Sequence, residues 1–375
     1  MDATTLRVGG GVQAGVTFLM AAASSNEFEW FVATSEKVDE HLTPEIRSAF
    51  SGYRTFQTAT IPQKLLAGQK LRTWSREMNL ALVYTIFGPA YWRPTQRHVQ
   101  GFARGLLFAP QTAAETGRTW TSRLRDLVLN ARQRRSFRLS DYLVAETETV
   151  KQLLVEHLDV PSGRVFVVPN TYNPTFAAGQ ATAPTPDHKD KPFVFFTPAW
   201  PYPHKNLTRQ IEAAGQLKQD FGSNFSMVLT VDPASQEWQR LSGVAEGCGV
   251  ADLVTTVGQL DRDQLLRQYQ RCDAVMLMTL WECSTATYPE AFITRRPILT
   301  SDRPFARELC GDAALFADPL NSQQTASAMR KMIEYPKLRS QLVAAGEVAI
   351  EKTYTSPTRK FSAVVDILKE VAHSD

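Results

Sequence analysis

Cysteine is scarce in this chain: Cys248, Cys272, Cys283 and Cys310 are the only four in 375 residues. None of them shows C-x-x-C or zinc-ligand spacing, which excludes a disulfide framework and a zinc ribbon and leaves reduced thiols packed as small apolar groups. Long apolar runs are absent too, so no membrane-spanning helix is expected. The opening MDATTLRVGGG lacks the apolar stretch of a secretory signal, and a cytoplasmic location is expected. Charge of one sign is also missing. The 41 basic and 38 acidic side chains leave +3, too little to imply a nucleic-acid partner. What is present is the composition of a soluble globular protein, 43% hydrophobic and 21% charged, with length enough for two domains.

The boundary is expected in Asn173 to Pro192, rich in Pro, Ala, Thr and charge and without periodicity. Residues 1–175 then form an N-terminal domain, 176–192 a linker and 193–350 a C-terminal domain. Residues 351–375 end in a helix expected to return to the first domain. Beyond the linker, strands and helices alternate: Phe193 to Thr197, Asn206 to Asp220, Ser226 to Val231, Ser235 to Ala245, Leu253 to Val257, Arg262 to Arg271 and Ala274 to Met278. That alternation predicts a parallel, doubly wound sheet.

Chemistry concentrates after the last of these strands, in TLWECSTATYPEAF (Thr279 to Phe292). The preceding DAVMLM reads as a strand buried on both faces. The chain then turns through Cys283, Ser284, Thr285, Ala286 and Thr287, and Pro289 opens a helix. Loops at the carboxyl ends of parallel strands are where open α/β sheets bind ligands. Glu282 in the loop and Glu290 in the helix would face different parts of one ligand. After the domain's first strand, Pro201 to Asn206 (PYPHKN) leads into another helix. Lys205 there would neutralise a diphosphate together with backbone N–H groups.

In the N-terminal half, Thr5 to Val8 reads as a very short strand. Gly9, Gly10, Gly11 and Gly15 follow as a turn in which backbone approaches a phosphate or sugar closely, before a helix from Val16 to Ala23. Phe28 to Thr34 and Ala81 to Ile86 read as strands, and Arg47 to Leu80 gives no clear pattern. Tyr91 and Trp92 in GPAYWRP offer flat faces for a sugar ring, or else serve as packing anchors. His98 reads as a surface residue. Thr119 to Leu139 is the most basic segment, with Arg118, Arg123, Arg125, Arg132, Arg134, Arg135 and Arg138 around a stripe of Trp120, Leu124, Leu127, Val128 and Ala131. Its stripe lies either in the core or against an anionic membrane. Thr147 reads as the N-cap of a helix from Glu148 to Leu158.

The E-x7-E spacing of Glu282 and Glu290, the K-N of Lys205 and Asn206, and the succession DYLVAETE, helix, VFVVPN together resemble the retaining nucleotide-sugar glycosyltransferases of the GT-B fold, family four. The resemblance covers essentially the whole chain. It implies two Rossmann-like doubly wound domains with an interdomain cleft, and sugar transfer from a nucleoside diphosphate donor without a metal or other cofactor. Lys205 then holds the diphosphate, flanked by His204 and Asn206. Glu282 binds donor-sugar hydroxyls, Glu290 the ribose, and the loop at Gly258 cups the nucleobase. Gly10 and Gly11 lie against the substrates. The chain departs from the family in three places. Ala199 and Trp200 stand where an arginine is usual, and Arg104 follows Gly101 where many relatives have a histidine. E-C-S-T-A-T replaces E-G-F-G-L-P, so that Ser284, Thr285 and the backbone at Ala286 take over from glycines. The acceptor is expected to be a glycan or lipid-linked oligosaccharide of bacterial surface polysaccharide, met by Tyr91, Trp92 and Arg104. Peripheral contact with the inner face of the membrane would run through the basic helix. The departures keep two alternatives open, an inactive GT-B scaffold and a nucleotide-sugar epimerase.

Overall fold

In the computed structural model the described residues are 1–7, 9–108, 120–172, 176 and 191–373; the expected linker falls almost wholly outside them. They form two compact units. The first takes residues up to 108, 120–170 and 356–373, and the second takes 171–355.

The first unit holds a seven-stranded sheet of β1 (Asp2–Ala3), β2 (Phe31–Ser35), β3 (Gly52–Phe56), β4 (Leu82–Thr85), β5 (Arg97–Gly101), β6 (Tyr142–Ala145) and β7 (Val165–Val167). All its pairings are parallel and its order is β3-β2-β1-β4-β5-β6-β7. The strand order reverses between β1 and β4, and such a switch point leaves a crevice outside the carboxyl ends of the two strands. The final helix, Pro357–His373, belongs to this unit. Its Phe361, Val364, Val365, Leu368 and Val371 are buried in the core beside Val16, Leu19 and Tyr84.

The second unit repeats the scheme with β8 (Phe193–Thr197), β9 (Phe225–Leu229), β10 (Val254–Thr256), β11 (Ala274–Leu277), β12 (Ile298–Ser301) and β13 (Ala314–Ala317). The order is β10-β9-β8-β11-β12-β13, again all parallel, with the switch point between β8 and β11. Every residue of β11 and β12 is buried, as expected of strands covered by helices on both faces. The chain thus has two Rossmann-like doubly wound α/β units.

Several local expectations are corrected. The first strand is Asp2–Ala3, ahead of Thr5. The Asp2 carboxylate accepts from the Thr4 N–H at 2.9 Å and the Thr4 hydroxyl at 2.6 Å, so side-chain bonds bend residues 4–7 out of the sheet. The first helix begins at Gly9, seven residues before Val16, because the buried spacing Val12, Gly15, Val16, Leu19 is already helical. His98 is 4% exposed and lies inside the sheet, its Nε2 3.0 Å from the Thr85 hydroxyl. Arg47 to Leu80 contains β3 and the long helix Ile61–Glu77, whose N-terminus carries a capping box of Thr60 and Gln63.

Candidate active site

The geometry of the second unit brings together what the sequence separates. Lys205 follows β8 and Glu282 follows β11, 77 positions apart, and their side chains form an ion pair at the switch point. Both are 13% exposed, so the pair is shielded but still reachable from solvent. The loops that carry them are tied together by backbone. The His204 carbonyl accepts from the Leu280 N–H at 2.7 Å and from the Thr279 hydroxyl at 3.0 Å. That hydroxyl is also 3.2 Å from the Glu282 carboxylate, so Thr279 orients either group in turn. The Lys205 carbonyl accepts from Gln210 at 2.9 Å.

Asn206 adopts the left-handed conformation, with φ of 58°. Its amide donates to the carbonyls of Met278 at 3.1 Å and Pro319 at 2.7 Å, while its oxygen accepts from Arg209 at 3.1 Å. Every polar atom of that buried side chain is thus engaged inward. Asn206 fixes the loop that presents Lys205, which corrects the donor contact expected of it. His204 stacks on Tyr202 with ring centroids 5.7 Å apart and an interplanar angle of 11°. Burial holds its imidazole below the ordinary value, outweighing the attraction of Glu282.

Glu290 lies in the helix Thr287–Ile293 and is buried, with its carboxylate 3.0 Å from the donating hydroxyl of Tyr269. Burial pushes its pKa up to about 7, and the Tyr269 bond pulls the other way. Sequence reasoning missed Tyr269, which reaches Glu290 from another helix, and Thr279, which looks like ordinary strand-end polarity. Ser284 is the other distinctive group, because its hydroxyl is buried without a hydrogen-bond partner. A buried hydroxyl left without a partner in the chain is open to a water or a ligand. Thr285 is buried and its hydroxyl accepts from the Thr287 N–H at 3.3 Å; Ala286 is exposed. Gly258 ends the turn after β10 with φ of 72°, a conformation that needs glycine.

In the first unit Gly10, Gly11, Tyr91 and Trp92 lie on the segments that follow β1 and β4. Gly10 and Gly11 sit in the first helical turn, where an added Cβ meets nothing within 4 Å at Gly10 and only Leu6 at 3.8 Å at Gly11. At Gly15 the same Cβ falls 2.3 Å from Leu6, so that glycine serves packing. Trp92 is a packing anchor. It is 8% exposed, lies among Leu71, Trp74 and Val83, and donates from Nε1 to Asp2 at 2.9 Å, which corrects the sugar-stacking role. Tyr91 is partly buried and donates to the Thr4 hydroxyl at 2.6 Å. Arg104 is exposed and its Nε donates to Gln133 at 3.3 Å.

The basic segment is a helix, Trp120–Arg138. Arg118 and the side chains of Trp120, Arg123, Leu124 and Arg125 lie outside the described residues. Leu127 and Val128 are 69% and 67% exposed, while Gln133 and Phe137 are buried. Of the stripe read from the sequence, the described members Leu127, Val128 and Ala131 are exposed.

The chain contains one D-x-D spacing, Asp261-Arg262-Asp263. Asp261 there caps the helix Arg262–Arg271, accepting from the Gln264 N–H at 2.8 Å. Among the described residues no three His, Cys, Asp or Glu side chains gather to hold a metal ion, and no helix is long and apolar enough to cross a membrane.

Residues 181–348 match the family described as glycosyl transferases group 1. A stretch of 156 residues is 28% identical to the serotype-specific mannosyltransferase WbdA of Escherichia coli, covering 39% of this chain and 19% of that protein. The chain thus spans about a fifth of that curated relative. Among solved structures it is similar to sucrose-phosphate synthase from Thermosynechococcus elongatus, at a TM-score of 0.75 and 14% identity over 97% of this chain and 94% of that one. It is also similar to HepE from Anabaena in complex with UDP and glucose, at a TM-score of 0.69 and 13% identity over 98% of each chain. At these identities the structural likeness speaks for the fold.

Proposed function

We propose that this chain is a group 1 glycosyltransferase and that it moves a sugar from a nucleoside diphosphate donor to a hydroxyl of a glycan or lipid-linked oligosaccharide, with retention of anomeric configuration, in bacterial surface polysaccharide synthesis. The reading rests above all on the meeting of Lys205 and Glu282 at the β8–β11 switch point, beside the unpartnered Ser284 hydroxyl. It draws support from the serotype-specific mannosyltransferase among its relatives and from the UDP and glucose held by a structural neighbour.

In this mechanism the Lys205–Glu282 pair is the resting arrangement. An arriving diphosphate draws the ammonium to itself and frees the Glu282 carboxylate for donor-sugar hydroxyls. Ser284 donates to a phosphate oxygen, with Thr285 and the backbone at Ala286 beside it. Glu290 accepts from the ribose, and the turn at Gly258 lies against the base. The bond between anomeric carbon and phosphate oxygen breaks as the acceptor hydroxyl oxygen bonds to that carbon. The acceptor's proton passes to the departing phosphate oxygen. Positive charge on the sugar and negative charge on the diphosphate grow together, and Lys205 stabilises the latter without a metal ion. Tyr91 and Arg104 are the proposed acceptor-side groups, and the backbone N–H groups at Gly10 and Gly11 are proposed to face the donor. The exposed Leu127 and Val128 beside Arg132 and Arg135 suit peripheral attachment to an anionic membrane on the cytoplasmic face.

The test is turnover with a panel of nucleotide sugars and oligosaccharide acceptors, with product configuration read by NMR. Glu282→Gln is expected to lower kcat roughly hundredfold, the scale on which removing one positioned polar group from an active site acts. A product of inverted configuration overturns retention. Isomerised donor without transfer identifies an epimerase, and no turnover on any donor leaves a scaffold.

A further inference from the structure

The loop between β8 and Lys205 contains a feature that the proposed chemistry leaves unused. Its sequence is Trp200-Pro201-Tyr202-Pro203-His204, with an aromatic or imidazole ring at every second position and proline between. The rings form a ladder. Trp200 and Tyr202 have centroids 6.5 Å apart at an interplanar angle of 33°, and Tyr202 and His204 lie 5.7 Å apart at 11°. The inner rung is half-buried next to Lys205, whereas Trp200 and Tyr202 are 46% and 45% exposed.

The loop is also held rigidly. Ala199 at its start exchanges hydrogen bonds with the Thr230 hydroxyl, at 3.0 Å and 3.2 Å. Tyr202 N–H donates to the Trp200 carbonyl at 2.7 Å, Lys205 N–H to the Tyr202 carbonyl at 2.8 Å, and the far end is tied to Leu280 through the His204 carbonyl. Two prolines and these clamps leave little freedom to lose on binding. Trp200 and Tyr202 thus stand side by side as half-exposed aromatic faces on a rigid loop.

We propose that Trp200 and Tyr202 are a platform for a neutral sugar ring of an oligosaccharide, set beside the Lys205–Glu282 pair. The flat C–H face of a pyranose matches an aromatic face, while the Trp200 N–H and Tyr202 hydroxyl are available at the ring edges for sugar hydroxyls. Burial disfavours the charged form of the His204 imidazole, and Lys205 is paired with Glu282. Chemistry of that kind selects a neutral ring over a phosphate. The exposure of the outer rungs suits a chain that continues into solvent, which in the transfer reading is the acceptor glycan. The acceptor assignment rests on the transfer reading; the sugar platform itself does not.

Calorimetric titration of the full chain with mannotriose, maltotriose and N-acetylchitotriose, and separately with UDP and GDP, tests this. The wild type is expected to bind at least one trisaccharide. Trp200→Ala and Tyr202→Ala should each weaken it roughly tenfold, the scale of one aromatic contact. Trp200→Phe should stay within about threefold, because the flat face is kept. Diphosphate affinity should be unchanged in all three variants, and equal thermal transitions verify that each is folded. Three results overturn the platform: no trisaccharide bound by wild type, equal affinities in wild type and both alanine variants, or a loss confined to the diphosphate, which would mean the rings stack a base. Trisaccharide binding that depends on Trp200, in a protein that binds no diphosphate, supports the platform and defeats the transfer reading.

Discussion

Glu290 is the residue whose behaviour is most sharply set by its surroundings. Its folded pKa of about 7 stands above the ordinary 4.5. Below 4.5 both states hold the proton; between the two values the native state keeps a proton that the unfolded chain has released. The stability linked to this group is therefore full in acid and is lost as pH rises through about 7. Glu290→Gln keeps an acceptor for Tyr269 and removes the ionisation. Its stability advantage over wild type is expected to be small near pH 5 and to reach on the order of 1–3 kcal/mol by pH 8. Parallel denaturant titrations at the two pH values check this, and an advantage that does not change with pH contradicts it. The spacing from Glu282 makes Glu290 visible in the sequence. Tyr269 is not, because nothing in a linear pattern shows which ring on a neighbouring helix will face a buried carboxylate. Trp92, His98 and Asn206 were open to misreading for a related reason: indole, imidazole and amide groups suit ligands and internal hydrogen bonds equally, and only the neighbours at Asp2, Thr85, Met278 and Pro319 decide.

Among elements, those of the second unit were legible because strands buried on both faces alternate with amphipathic helices at clear spacing. The helix Ile61–Glu77 was not, since its buried residues Ala67, Gly68, Leu71 and Trp74 are a minority among exposed side chains. The signal available there was the capping box with Pro62. Glycines separate packing from function in a testable way. At Gly101, the end of β5, an added Cβ would lie 1.9 Å from the Ile86 carbonyl oxygen, a backbone atom that cannot yield cheaply. Gly101→Ala should cost about 3 kcal/mol or more. Gly10→Ala meets open space and removes a helical glycine, so stability should hold or rise by a few tenths of a kcal/mol. If backbone at Gly10 approaches a substrate, that variant loses turnover while keeping its melting temperature. Retention of full activity would remove Gly10 from the site. The helix Trp120–Arg138 makes its own prediction: sedimentation with phosphatidylglycerol vesicles should fall when Arg132, Arg134 and Arg135 are replaced by Gln, by about 1 kcal/mol for each charge near the surface. Unchanged sedimentation would sink the membrane assignment.

For the whole molecule, the two sheets share the 3-2-1-4 pattern about their switch points, and the residues singled out from sequence cluster on the loops that leave those strands. This is why the order of motifs along the chain carried more information than any one motif. E-x7-E alone is two acids; after the fourth strand of a doubly wound unit, with a lysine after the first, it places Glu282 against Lys205 at the switch point. The final helix was expected to return to the first unit, whose core it enters through Phe361 and its neighbours; what remained hidden there was β3, β5 and the helix Ile61–Glu77. The central claim is that the β8–β11 switch point receives a nucleoside diphosphate through Lys205. The most direct test is calorimetric titration of UDP, GDP, dTDP and ADP into wild type and Lys205→Gln, a variant that still donates toward Glu282. One diphosphate should bind wild type selectively, with at least tenfold weaker binding in the variant. Binding of none of the four, or equal affinity in both proteins, would contradict the account.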